Sequence, residues 1–132
     1  MADIKIYFSV CGDSLDPIAF DTLVPIRNSD FWNKGDPIKN RLSTSRKESG
    51  WECSMEMSNV NHLEDISDIF FKQFIESSSL IGQYIVENNL EAKVSIVVTI
   101  LNKEAPSMFL SQNLVNFLAS IKCAIDIDLY VI

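Results

Sequence analysis

The chain has 132 residues, 47% apolar and 22% charged, with a formal net charge of −7 and a mean hydropathy of +0.11. A chain of this size is one domain's worth and can bury roughly two thirds of its unfolded surface without metal or disulfide staples. The composition excludes a disordered tail, a fibrous repeat and a disulfide scaffold, and a single histidine excludes most catalytic metal sites.

Residues 4–10 alternate, with Ile4, Ile6, Phe8 and Val10 on one side and Lys5, Tyr7 and Ser9 on the other, which predicts a half-buried strand. Asp16 before Pro17 reads as a helix N-cap followed by proline at N1, and the short helix must stop before Pro25. Residues 25–49 hold Pro25, Gly35, Pro37 and a Ser/Thr/Lys/Arg cluster, and read as a long, irregular, partly mobile connection pinned by Phe31 and Trp32. A second alternation places Trp51, Cys53, Met55 and Met57 against Glu52, Ser54 and Glu56.

Leu63, Ile66, Ile69, Phe70 and Phe74 recur at helical steps, so residues 62–76 predict an amphipathic helix capped by Asn59 or Asn61. Ser77–Ser79 weakens it, and a second helical segment from Leu80 to Glu87 ends at Asn88-Asn89. Residues 92–101 alternate with apolar side chains on both sides toward the end, which predicts the most central strand. Ser111 caps a helix over about 111–121. The last strand, Ala124 to Ile132, turns Ile125, Ile127, Leu129 and Val131 inward and Asp126, Asp128 and Tyr130 outward.

The expectation is an α+β fold in one domain over 1–132, with an irregular basic loop at about 25–49. It is a two-layer sandwich with a mainly antiparallel sheet of about four to five strands and helices packed on one face. Window hydropathy gives no membrane span. The start, Met1-Ala2-Asp3-Ile4-Lys5, lacks a basic leader segment and a small-residue cleavage site, so a cytoplasmic protein is expected. Cys11, Cys53 and Cys123 are odd in number and lack paired spacing, as reduced, small apolar groups would.

Charge is uneven. Residues 27–47 carry Arg27, Lys34, Lys39, Arg41, Arg46 and Lys47 against Asp30 and Asp36, a net +4, which leaves −11 for the rest. An acidic body disfavours nucleic acid, whose phosphates need a dominant positive face, and suits a basic partner. The glycine spacing forms no phosphate cradle. Cys11 or Cys53 with His62 is the one thiol–imidazole option, and nothing in the sequence orients it. Asp126 and Asp128 read as solvated strand residues rather than metal ligands. No catalytic residue, metal or cofactor is therefore assigned.

Gly12-Asp-Ser-Leu-Asp-Pro17, Phe31-Trp-Asn-Lys-Gly-Asp36, Ser49-Gly-Trp51, Ala105-Pro-Ser-Met-Phe-Leu-Ser111 and Ile125-Asp-Ile-Asp-Leu-Tyr130 occur in that order along the chain. Together they resemble the bacterial domain-of-unknown-function family 4279, over nearly the whole length. The family implies an α+β sandwich and no settled enzymatic activity. Its small acidic members look like immunity proteins, the antidotes to secreted or contact-delivered toxins. That resemblance implies a non-enzymatic antitoxin that blocks the active site of a cognate toxin domain, a basic nuclease being the best match. The expected contact residues are Tyr7, Glu52, Glu56, Asp126, Asp128 and Tyr130 on the polar sheet face, with Trp32 in the loop. The alternatives are a small-ligand or nucleic-acid binding module using the basic loop and Trp32, an ordinary wet sheet face, and a face that pairs with a second copy as a homodimer.

Overall fold

The computed structural model describes residues 1–24 and 26–132; Pro25, the expected stop of the first helix, lies outside them. Five strands form one sheet: β1 (Ala2–Gly12), β2 (Asp30–Trp32), β3 (Ser49–Val60), β4 (Glu91–Ile100) and β5 (Cys123–Val131). Four helices join them: α1 (Pro17–Asp21), α2 (Glu64–Lys72), α3 (Ser78–Glu87) and α4 (Gln112–Ser120), with a 3-10 turn over Ile75–Ser77 where the serines interrupt the helical run. The strand order is β2-β3-β1-β4-β5. All pairings are antiparallel except β4 with β5, which run parallel through the α4 crossover. The fold is α+β, as the alternation and helical periods indicate.

Period-two alternation sorts each strand. Ala2, Ile4, Ile6, Phe8 and Val10 of β1 and Ala92, Val94, Ile96, Val98 and Ile100 of β4 are buried beneath the helices. Phe8 centres an aromatic cluster, with ring centroids 5.3 Å from Phe74 and 6.2 Å from Trp51, and Phe20 of α1 lies 5.0 Å from Trp51. These edge-on contacts add to the area term that holds α1 and the α2 end against the sheet. Asp16 caps α1 by accepting from the N–H groups of Ile18 and Ala19, with Pro17 at N1. Ser111 caps α4 by accepting from Leu114 N–H.

Four expectations need correction. The central strand is β1, not β4. The doubly apolar end of β4 comes from half-buried Val97 and Leu101, not from a central position. Neither Asn59 nor Asn61 caps α2, which starts after Leu63 with no side-chain cap. Asn59 instead takes a left-handed φ of 57° where the β1–β3 register shifts, so that Val60 turns back into the core opposite Ala2. Residues 26–49 of the basic connection are more regular than their composition suggests. Asp30–Trp32 pairs with β3, and Gly35 to Arg46 folds back on itself through a Pro37–Ser45 bridge and bonds such as Arg46 N–H to Asp36 O at 2.7 Å. Finally, Ile125, Ile127, Leu129 and Val131 lie on the helix side of the sheet, in register with the inward residues of β4, yet all remain exposed because the helices do not cover β5.

Candidate functional site: the open face of the sheet

The pairing registers fix which side chains share the face away from the helices. Lys5 stands beside Glu56 and Val97, Tyr7 beside Ser54 and Ser95, and Ser9 beside Glu52 and Lys93. Ser95 and Val97 lead on to Asp126 and Asp128, Thr99 leads to Tyr130, and Asp30 of β2 stands beside Glu52. Tyr7, Glu52, Glu56, Asp126, Asp128 and Tyr130 therefore all lie on one face, as their parity requires. The strands place seven carboxylates there (Asp3, Asp30, Glu52, Glu56, Glu91, Asp126 and Asp128) against two lysines, Lys5 and Lys93. Among the described residues no helix packs on this side, and Glu56, Asp126, Asp128 and Tyr130 are exposed.

The face divides into two acidic groups. Asp30, Glu52 and Glu56 lie on the β2–β3 side, and Asp126 and Asp128 on β5. Three strand spacings separate β3 from β5, so the groups are about 14 Å apart. Between them β1 and β4 balance Asp3 and Glu91 against Lys5 and Lys93 around Tyr7, Ser95 and Val97, and the Lys5 ammonium lies 4.8 Å from the centre of the Tyr7 ring. Lys5 is held above its ordinary pKa by the Tyr7 side chain first, then by Glu56 and Glu52. Glu52 is pushed up by burial and then by Asp30, only partly offset by Lys5 and Arg46. A cation brought onto this corner would relieve that repulsion.

Trp32 stands on β2 rather than in a loop. It is half-buried on the same face, its indole lying flat over Gly50, where any side chain would collide with the ring. The Arg46 guanidinium covers it at 4.0 Å from the ring centre. The stack was not visible in the sequence; the one available signal was that Arg46 and Trp32 flank a turn rich in Gly and Pro. Beside it lies an open recess of about 480 Å³ lined by Asp30, Phe31, Trp32, Asp36, Ile38, Lys39 and Arg46 among others. Lys34 is engaged 3.4 Å from Asp13. An anion entering the recess meets Asp30 and Asp36, and a base finds Trp32 already stacked.

The thiol–imidazole option does not assemble. Cys11 pairs with Gly50 near one end of the sheet, whereas exposed His62 follows Val60, which pairs with Ala2 at the other. At about 3.4 Å per residue these ends are roughly 30 Å apart, and Cys53, opposite Phe8, is roughly 20 Å from the His62 end. All three cysteines are free. Burial pushes every thiol up, Cys123 to about 12, so they stay protonated. Among the described residues no group of three or more His, Cys, Asp or Glu side chains is placed to hold a metal. Among the described residues no helix is long and apolar enough to cross a membrane.

Searches of curated proteins and of solved structures return no match. A family model described as "Domain of unknown function (DUF4279)" matches residues 2–132. The chain belongs to the DUF4279 family.

Proposed function

We propose that this chain is a non-enzymatic, cytoplasmic immunity protein that binds a cognate bacterial toxin domain and occludes its active site. The single observation that carries the proposal is the open sheet face, with seven strand carboxylates against Lys5, Lys93 and the stacked Arg46, and tyrosines at its centre and edge. Such a surface matches a basic cleft of the kind that holds nucleic-acid phosphates. Its field speeds encounter, and Tyr7 and Tyr130 supply rigid anchors at low entropic cost. Reading the basic loop as a nucleic-acid or anion site is weaker, because Arg46 is stacked, Lys34 is paired and the recess carries two acids.

The test is co-expression with the product of the adjoining reading frame. The native chain is expected to restore growth and to form a stoichiometric complex. A variant carrying Glu52→Lys, Glu56→Lys, Asp126→Lys and Asp128→Lys, with an unchanged circular dichroism spectrum, is expected to do neither. Full protection by that variant, or an adjoining product that neither harms cells nor binds, contradicts the proposal.

A further inference from the structure

The two edges of the sheet are built differently. At one, β2 is three residues long and the 33–46 fold-back lies beside it, a usual way of blunting an edge. At the other, β5 runs for nine residues and, among the described residues, no strand pairs with its outer side. Its helix-side row is apolar and uncovered: Ile125 is 39% exposed, Ile127 42%, Leu129 59% and Val131 66%, and Ile132 follows at 76%. It has no lysine, proline or bulge to discourage a further strand.

We propose that β5 pairs antiparallel with β5 of a second copy, joining two sheets into one of ten strands about a two-fold axis at Leu129. Three observations carry the pairing, and the second of them selects a second copy as the occupant. The first is backbone direction. Ile132 N–H donates to Ile100 O, so even-numbered residues of β5 turn their peptide groups toward β4, and Ile127, Leu129 and Val131 turn theirs to the open edge.

The second is self-complementarity. With Leu129 opposite its own copy, Ile127 meets Val131 on the apolar side. On the other side Asp128 meets Tyr130, twice by symmetry, at the closely spaced non-hydrogen-bonded positions where a phenol can donate to a carboxylate. Moving the axis to Ile127 would set Asp126 against Asp128, and moving it to Asp128 would set that residue against itself, so like charges reject both of those registers, while moving it to Tyr130 loses both Asp128–Tyr130 pairs and shortens the paired segment. The third is exposure: every side chain from Ala124 to Ile132 is exposed, with Leu129, Tyr130, Val131 and Ile132 more than half uncovered.

The proposal goes beyond the toxin-binding reading and does not depend on it. Sedimentation velocity of the full chain at roughly 0.1 mM, a concentration that populates a dimer of micromolar dissociation constant, tests it. The native chain is expected at twice its 14.9 kDa, and Leu129→Lys and Val131→Lys at 14.9 kDa with at least a 100-fold weaker dissociation constant. Both positions are exposed, so these variants are expected to fold. Amide exchange at Ile127, Leu129 and Val131 is expected to slow as concentration rises. A native monomer overturns the proposal. So does a dimer that survives both substitutions, or edge amides whose exchange ignores concentration.

Discussion

β1 and β5 carry the same alternation and meet opposite fates. Every even-numbered residue of β1 from Ala2 to Val10 is buried, while in β5 every residue after Cys123 is exposed, although Ile-Asp-Ile-Asp-Leu-Tyr-Val is the more regular pattern. The difference teaches that alternation fixes which side a residue points to, and cover fixes whether it is buried. β1 lies in the middle of the sheet with Phe20, Phe74 and Trp51 above it, and β5 lies at an edge beyond the reach of α2 and α3.

The strongest test of that contrast is a pair of truncations. Phe8→Ala is expected to cost about 3–5 kcal/mol in urea unfolding. Leu129→Ala, at a chain concentration low enough to keep copies apart, is expected within about 0.5 kcal/mol of native. Equal losses would break the comparison. Gly50→Ala comes next, because its new methyl overlaps the Trp32 ring and displaces it from β3. A loss of about 1–3 kcal/mol is expected, with a red-shifted Trp32 emission measured in a Trp51→Phe background. Asp16→Ala removes two bonds to the start of α1, part of the cover over Trp51, and is expected to cost about 1 kcal/mol.

The smallest effects concern titration. Asn28 first and Trp51 second donate to Asp21 and hold its carboxyl below the ordinary value. A depressed carboxylate contributes stability that is present above its unfolded pKa of about 3.9 and is lost as pH falls through the lower folded value. Native melting temperature should therefore fall more steeply than that of Asp21→Asn below pH ~4. Glu52 has the opposite sign: its raised folded pKa makes ionisation destabilising as pH rises through that value. Glu52→Gln should raise the melting temperature slightly at neutral pH and not at pH ~3.

Much of this was legible from local chemistry. The caps at Asp16 and Ser111, the helical stripes and the face shared by Tyr7, Glu52, Glu56, Asp126, Asp128 and Tyr130 all follow from short-range periods and capping rules. What was not legible depends on distant partners. β2 is too short to show a period, and it exists because Asp30–Trp32 finds β3. The central strand was misplaced because strand order follows from the crossovers rather than from any one strand's hydropathy. Asn59 looked like a cap, and only the β1–β3 register shows that it serves a bulge. At the site, parity gave the side but not the lateral order, so the separation into two acidic groups and the Arg46 cover on Trp32 emerge only in three dimensions.

The central claim is that the open acidic face recognises a basic protein. Its most direct test is the salt dependence of the association and dissociation rates between the native chain and the product of the adjoining reading frame. The association rate is expected to fall steeply with ionic strength while the dissociation rate changes little. An association rate indifferent to salt would contradict it.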